Sequence, residues 1–264
     1  MSLLDDFTRR WTSTLSGGPA LLPSTLARAC ASVLGVDGAG ISVMSGSGIR
    51  LPLGASDDSA ALAERLQFTI GEGPCLQAQQ SCRPVHADAA AMSARWPALA
   101  QEYLERTPFR FVLSLPLLRS RDSIGALDLY RRAPGVPAPA MGASSVQAPG
   151  VDAERLTASA APIATAITNI LLGTAPQDVP EQVQVSSASW LDTPSVISRE
   201  QVWIAIGMIN VALRLDADDA LALLRAHAYA SGQLLDELVD AVVNQRIDPV
   251  SLSTGSAPGP NAQE

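Results

Sequence analysis

Residues 66–75 read LQFTIGEGPC, and this stretch decides how the first part of the chain divides into helices and strands. Residues 66–70 predict a short extended run, and the Gly-Glu-Gly-Pro sequence at 71–74 predicts a turn. Pro74 is suited to the first position of a helix, which we expect to continue through Ser81. The two glycines superficially suggest a phosphate-binding loop, but the lysine and the spacing of such a loop are missing, which favours a turn.

Outward from this stretch, hydrophobic periodicity predicts alternating strands and helices. Strands are expected at 39–44, 49–55, 83–87, 110–118 and 124–131, with turns at 45–48 and 119–123. Helices are expected at 21–34, where Gly35 stops the helix, at about 93–107, and at 156–172. This order predicts an α+β domain in which helices flank an antiparallel sheet.

Changes in composition along the 264 residues predict two domains. We expect a leader at 1–19, the α+β domain at 20–173, a linker at 174–196, an all-α three-helix unit at 197–249 and a disordered tail at 250–264. A loop rich in Pro, Gly, Ala and Ser is expected at 134–150, inside the first domain.

The C-terminal unit shows three amphipathic segments with helix start signals. Ser198 and Gln201 fit a capping box, Asp216 is placed to cap the second helix, and Asp236 and Glu237 fall in the first turn of the third. The residues expected to be buried are Val202, Ala205, Ile206, Ile209, Leu213, Ala220, Leu221, Leu224, Ala228, Leu234, Leu235, Leu238, Val242 and Val243. A unit of about 50 residues is marginally stable alone, which favours pairing with a second copy.

The charge of the chain limits which partners it binds. The net charge is −8, and all 18 basic residues are Arg. Residues 1–189 hold 14 Arg and 16 acids, a net of −2, whereas residues 190–264 hold 4 Arg and 10 acids, a net of −6. Binding to nucleic acid without sequence preference needs a positive surface, so the chain is not expected to bind DNA. The apolar fraction of 47% excludes a wholly disordered chain.

The N-terminal sequence and the cysteines exclude further classes. Acids at Asp5 and Asp6 argue against a signal peptide, and no run approaches the length of a membrane span, so we expect a cytoplasmic protein without membrane contact. An odd set of cysteines, Cys30, Cys75 and Cys82, is unlike a secreted disulfide framework. No histidine has a ligand neighbour at zinc spacing, so no metal is expected.

Several separated strings in the first domain occur in the order known from one family. They are LGVDGAG at 34–40, LQFTIGEGPC at 66–75, RWP at 95–97 and IGALDLY at 124–130. Together they closely resemble the GAF sensory domains of actinobacterial regulators, over roughly residues 20–172. The resemblance implies a GAF fold and a small-molecule signal, but nothing in the sequence identifies a cofactor or ligand.

The C-terminal unit resembles a different module. The strings IAIGM at 204–208 and ALALLRAHAY at 220–229, with Leu235 and the pair at 242–243, are similar to an ANTAR domain, the output module of transcription antitermination regulators. The resemblance implies a homodimer whose ANTAR domains bind hairpin loops in nascent RNA and prevent terminator formation. The helix at 156–172 is then expected to couple sensing to dimerisation.

Two departures from the ANTAR pattern motivate a second hypothesis. Ile206 stands where the family commonly has Lys, and the stretch around Asp236 and Glu237 is acidic where the family is often basic. These changes remove phosphate-binding charge. The alternative is therefore a protein-interaction or dimerisation regulator whose ANTAR-like unit has lost RNA binding.

The candidate RNA-binding residues lie in the C-terminal unit. Arg225 and Tyr229 are four residues apart on the second helix, so they share one face. There the cation suits a phosphate or a base and the ring suits stacking on an unpaired base, although an ordinary surface pair has the same spacing. Arg214, His227 and Arg246 complete the candidate set.

In the first domain the candidates are Cys75 and Asp128. Cys75 stands at a helix start, where a thiolate sensor is favoured, although a buried structural cysteine is the more common case. Asp128 faces away from its apolar strand neighbours and is expected either to line the GAF pocket or to pair with Arg110 or Arg131.

Gly207 and Trp203 lie on the first predicted helix of the C-terminal unit. Gly207 within a helix is expected to mark a close helix crossing, and Trp203 beside it is expected to line a dimer or linker contact. Some GAF domains are thiol reductases acting on methionine sulfoxide, but no base is placed beside a thiol here, so the chain is not expected to be an enzyme.

Overall fold

The centre of the fold is a five-stranded antiparallel sheet with strand order β2-β1-β5-β4-β3. The strands are β1 Gly38–Met44, β2 Arg50–Ala55, β3 Val85–Asp88, β4 Phe109–Arg119 and β5 Asp122–Arg132. The computed structural model describes residues 2–14, 21–44, 49–133, 149–173 and 194–254. The predicted turn at 45–48 and nearly all of the predicted loop at 134–150 and linker at 174–196 lie outside these residues.

Ten helices are found in the described residues. They are α1 Leu3–Thr14, α2 Leu22–Leu34, α3 Asp58–Ile70, α4 Pro74–Ser81, α5 Ala89–Arg95, α6 Pro97–Arg106, α7 Pro149–Leu171, α8 Pro194–Leu213, α9 Ala217–Ala230 and α10 Leu235–Val243. Among them, none is long and apolar enough to cross a membrane.

Helices α1, α2 and α7 cover one face of the sheet. Alternate residues of the strands, such as Ile41, Leu127 and Leu129, point into this core. The predicted leader is part of it, because Phe7 and Trp11 of α1 are 0% and 1% exposed. An isolated amphipathic helix gains stability by burying its apolar face, which explains why this segment packs on the domain instead of preceding it.

Helices α3 to α6 cover the other face, and two of the predicted boundaries change there. Residues 66–70 are not extended but form the last turns of α3, because Asp57 caps that helix through the N–H groups of Ser59 and Ala60. Gly71, at φ 78°, then ends the helix in the left-handed conformation that glycine adopts without strain.

The predicted helix at 93–107 is two helices, α5 and α6. Pro97 has no N–H and disfavours a helical conformation at the preceding residue. Trp96 accordingly has φ −138° and ψ 69°, between the two helices. By contrast, α4 begins at Pro74 and ends at Ser81, as predicted.

The C-terminal helices bury the faces expected from their periodicity. Of the residues predicted to be buried there, Leu213 and Val243 are partly buried against the C-terminal core. All the others are buried. Asp216 caps α9 by accepting from the N–H of Asp219 over 2.8 Å. The predicted cap at Ser198 is wrong, since α8 begins earlier, at Pro194.

The end of the described chain is more ordered than expected. Residues Pro249–Thr254, predicted to belong mostly to a disordered tail, form a short 3-10 helix. Leu252 is 3% exposed in the C-terminal core, and this burial supplies the apolar contact that holds the turn in place.

The C-terminal helices are not a separate unit. Ile49, Leu51 and Phe68 of the first domain lie in the same core as α8, α9 and α10. Leu234, at the start of α10, lies in the core beneath α3 to α6. The three helices, which are too few to be stable by themselves, are therefore stabilised within one chain by packing on the first domain.

Candidate functional site

A cluster of buried polar side chains lies between the sheet and α3, and we call it the polar cluster. Its members are Ser42 on β1, Arg50 on β2, Glu64 and Gln67 on α3, and Asp128 and Tyr130 on β5. None of them is more than 2% exposed. Buried charges persist only when they are paired and hydrogen-bonded, so the contacts within the cluster determine its chemistry.

Arg50 is the cation of the polar cluster. Its Nη2 contacts Oε2 of Glu64 and lies 3.5 Å from Oδ2 of Asp128. Its Nε donates to Oγ of Ser42 over 3.1 Å, and its Nη1 donates to the carbonyl oxygen of Glu64 over 3.3 Å. One guanidinium therefore holds β1, β2, β5 and α3 together.

Two carboxyl groups compete for this one cation. Burial raises the pKa of Glu64 to about 8, Arg50 opposes the rise, and the charge of Asp128 adds to it. Two carboxylates beside one guanidinium disfavour double ionisation. Burial therefore disfavours the charged form of Glu64, and the guanidinium of Arg50 offsets part of this cost.

Gln67 and Tyr130 connect the carboxyl groups to the surrounding helices. Nε2 of Gln67 donates to Oδ2 of Asp128 over 2.9 Å, and its Oε1 accepts from the backbone N–H of Cys75 over 3.2 Å. The Tyr130 hydroxyl donates to Oε1 of Glu64 over 2.5 Å. A change in any of these groups would therefore alter contacts of α3 and of the first turn of α4.

Three polar atoms beside the cluster have no hydrogen-bond partner among the described residues. They are Oδ1 of Asp128, Oγ of Ser114 and the hydroxyl of Tyr103, all buried. Ser114 is the register partner of Asp128, so both project from the same face of the sheet. The Tyr103 ring centroid lies 6.4 Å from that of Tyr130. Unpartnered buried polar atoms of this kind suit a bound water or a small ligand that forms hydrogen bonds.

Glycine makes room for the cluster at one position on β1. A Cβ built on Gly40 would lie 2.0 Å from Oε1 of Glu64. The strand can pass this close to Glu64 only because residue 40 has no side chain. A larger residue at position 40 would displace the Glu64 carboxyl.

A profile of the GAF domain family matches residues 20–167, which carry the sheet and the polar cluster. The chain belongs to the GAF domain family. A crystal structure of the GAF domain from Acinetobacter phosphoenolpyruvate-protein phosphotransferase shares 13% identity with the chain. The match covers 67% of this chain and 99% of that one, with a TM-score of 0.41. No curated protein sequence matches the chain. The GAF domain indicates a signal-sensing regulatory role for the protein.

The structure places both sequence candidates of the GAF domain at the polar cluster. Asp128 pairs with Arg50, and the expected partner Arg110 instead donates to the carbonyl oxygens of Thr107 and Phe109. Burial raises the pKa of the Cys75 thiol well above its usual value, against the opposing charge of Arg50. The thiolate suggested by the helix start is therefore disfavoured, and Cys75 serves as a buried residue whose N–H binds Gln67.

Arg225, the leading RNA-binding candidate, lies against the GAF domain. A Cβ built on Gly71 would lie 2.8 Å from its Cζ, so the guanidinium packs on the backbone at the end of α3. Its Nε is buried and has no hydrogen-bond partner among the described residues. Burial and the charge of Arg50 lower the pKa of Arg225.

The other candidates of the C-terminal unit are more accessible. Tyr229 is 40% exposed at the end of α9, and Arg214 is exposed after α8. His227 is half-buried, and Arg246 is exposed but forms an ion pair with Asp240. Arg225 and Tyr229 lie four residues apart on the continuous helix α9, where Arg225 is half-buried against the GAF domain and Tyr229 is exposed.

A contact between α3 and α10 escaped sequence reasoning. Nη2 of Arg65 lies 2.8 Å from Oδ2 of Asp236 and 3.0 Å from Oε1 of Glu237. Oγ1 of Thr69 accepts from the N–H of Leu235 over 2.9 Å, which caps the first turn of α10. The acids that depart from the ANTAR pattern thus have a partner on the GAF domain.

The region around Gly207 differs from expectation. A Cβ at Gly207 would meet nothing within 4 Å, so the close crossing predicted there does not occur in the described part of the chain. Ile204 and Val211 on the same helix are 50% and 82% exposed, and Trp203 is 36% exposed. In the residues described, no group of three His, Cys, Asp or Glu is arranged to hold a metal ion.

Proposed function

We propose that the protein is a signal-responsive regulator in which the three C-terminal helices form an ANTAR-type unit. In this proposal, the unit binds hairpin-loop RNA as a homodimer and causes transcription antitermination, under control of the GAF domain. The observation that carries the proposal is the combination of a cation and an exposed aromatic ring near the end of α9. Arg225 and Tyr229 are the types of residue that contact phosphates and stack on unpaired bases.

The acidity of the C-terminal unit is less adverse to this proposal than its net charge implies. Asp236 and Glu237 face Arg65, so part of the negative charge is neutralised within the chain. Binding is then expected to depend on the shape of the loop and on few phosphate contacts, and therefore to depend weakly on salt.

The proposed dimer uses the exposed face of α8. Ile204, Gly207 and Val211 fall on one side of that helix and have few neighbours in the chain. A glycine between apolar residues permits close approach of a second helix. Because the GAF domain already stabilises the three helices, we expect them to fold in the monomer without a partner. The fraction of dimer should then rise with protein concentration.

The test is a titration with a fluorescently labelled pool of hairpin RNAs carrying randomised loops, against a scrambled single-stranded pool. Stacking is worth about 1–3 kcal/mol per base, so Tyr229→Ala should weaken hairpin binding by roughly 5- to 150-fold. Tyr229→Phe is the matched control, because it keeps the ring and should bind like the wild type. Equal affinity for hairpin and scrambled RNA would defeat the proposal.

A second candidate function is a protein-interaction regulator, in which the C-terminal unit is a docking module without RNA binding. The contact of Asp236 and Glu237 with Arg65 favours it, since it shows acids of this unit used for protein contact. Affinity purification under native conditions separates the two functions. A recovered protein partner without RNA enrichment supports docking, and an RNA crosslink counts against it.

A binding role is proposed in preference to a thiol enzyme. Burial raises the pKa of Cys30 above its usual range and that of Cys75 well above its usual value, so neither is poised as a nucleophile. Any reductase activity that persisted in a variant with all three cysteines replaced by serine would also not be thiol-based.

For the GAF domain, we propose that a small hydrogen-bonding molecule binds beside the polar cluster.

A further inference from the structure

We propose that the packing of α9 and α10 on α3 is a self-inhibited arrangement, in which the GAF domain and RNA compete for Arg225. The inference rests on the proposed RNA-binding function and adds to it the means of regulation. Three observations carry it: the packing of the half-buried Arg225 on Gly71, the ion pairs of Arg65, and the position of α3 between these contacts and the polar cluster.

The first step is that Arg225 is half-buried against the GAF domain, which limits its access to a phosphate. Its guanidinium packs on Gly71, at the C-terminal end of α3, where the helix dipole is negative and attracts a cation. Because its Nε is buried without a partner among the described residues, this contact leaves hydrogen-bonding capacity unused. A phosphate or base edge would use that capacity once the guanidinium left the GAF domain.

The second step is that polar contacts between α3 and α10, at the edge of the shared apolar core, help to hold Arg225 in this position. Arg65 forms two ion pairs with α10, and its side chain is 35% exposed. Thr69 adds one hydrogen bond to the N–H of Leu235. Ion pairs this exposed contribute little each, so a ligand can shift α3 relative to α10 at this edge while the shared apolar core stays packed.

The third step is that one helix serves both sites. Glu64 and Gln67 of α3 belong to the polar cluster, while Arg65 and Thr69 of the same helix contact α10. A ligand that binds better to one position of α3 than to another must shift the docking equilibrium. A ligand bound at the polar cluster can thereby change, through α3, how Arg225 packs on the GAF domain.

The experiment weakens docking from the GAF side, so that the RNA-binding residues stay unchanged. Arg65→Glu places a negative charge opposite Asp236 and Glu237, and Thr69→Val removes the acceptor for Leu235 without changing charge. Arg119→Glu is the matched control, because Arg119 is an exposed residue of the hairpin between β4 and β5. It carries the same charge change away from α10.

Two quantities are measured for each full-length variant. Hydrogen exchange over residues 217–243 reports docking, and titration with the hairpin RNA pool reports affinity. Both docking variants should raise the exchange of α9 and α10 and tighten RNA binding by about fivefold or more, since apparent affinity scales with the competent fraction. Arg119→Glu should leave exchange unchanged and should not tighten binding.

The outcomes separate the inference from the function on which it rests. Faster exchange with unchanged or weaker RNA affinity in both docking variants overturns the competition and leaves the RNA-binding function intact. Unchanged exchange in both variants overturns the assignment of these contacts to docking. No hairpin binding by any of the proteins overturns the function and the competition together.

Discussion

Replacing Arg50 by Met tests the account of the polar cluster most directly. Met is of similar length and carries no charge, so Arg50→Met leaves Glu64 and Asp128 buried without their cation. Removal of one partner from a buried ion pair costs about 3–5 kcal/mol, and the lost hydrogen bond to Ser42 adds to this. We therefore expect a loss of about 3–5 kcal/mol in the free energy of unfolding at neutral pH.

A second substitution shows whether the loss has this electrostatic origin. In the Arg50→Met background, Asp128→Asn removes one carboxyl while its amide oxygen can still accept from Nε2 of Gln67. The double variant should regain about 2 kcal/mol, a coupling typical of residues in direct contact. The defect of Arg50→Met should also shrink as pH falls, because protonated carboxyl groups need no cation.

The assay is urea unfolding followed by tryptophan fluorescence, to which Trp11 and Trp96, 1% and 8% exposed, contribute a signal that changes on unfolding. The four proteins of the cycle are compared at the same temperature and at two pH values. A loss below about 1 kcal/mol for Arg50→Met, or strictly additive effects of the two substitutions, would refute the paired-cluster account.

Three further outcomes follow from the structure. Since the pKa of Glu64 rises from 4.5 to about 8 on folding, its stabilisation is fully present below pH 4.5 and lost as pH rises through about 8. Glu64→Gln should therefore flatten the fall of Tm between pH 5 and 8, and parallel pH profiles would contradict this. In thermal melts at a protein concentration low enough to keep the chain monomeric, Gly207→Ala should stabilise it by about 0.5–1 kcal/mol, because the added methyl meets nothing within the chain, whereas destabilisation would show that this face is covered. With a thiol reagent, only Cys82 should react in the native protein, since Cys30 and Cys75 are buried, and fast labelling of Cys75 would contradict its placement.

Much of the fold could be predicted because it depends on local pattern. The alternation of apolar and polar residues along β5 predicted that Leu127 and Leu129 share one core while Asp128 lies on the opposite face. Helical periodicity identified the buried faces of α8 to α10. Residues 66–70 were misassigned because the start of α3 is set by Asp57, well upstream of the apolar run. A short apolar run by itself does not distinguish a strand from the end of a helix.

The candidate site was less predictable than the fold. Arg50 and Glu64 had no sequence signal beyond being charges close to apolar residues, and the helix that carries Glu64 was not predicted. The one usable hint was Gly40 in a strand, because an interior glycine often marks a close approach. Their pairing required strand β2 and helix α3 to be brought together across β1.

By itself, the sequence determined which faces of the helices and strands are apolar, where Asp216 and Pro74 begin helices, and that the chain carries a GAF domain. Only the tertiary structure decided which charges have partners. Arg65 and Asp236 are 171 positions apart, and nothing in either neighbourhood specifies the other. Periodicity is a property of neighbouring residues, whereas an ion pair depends on how distant elements pack.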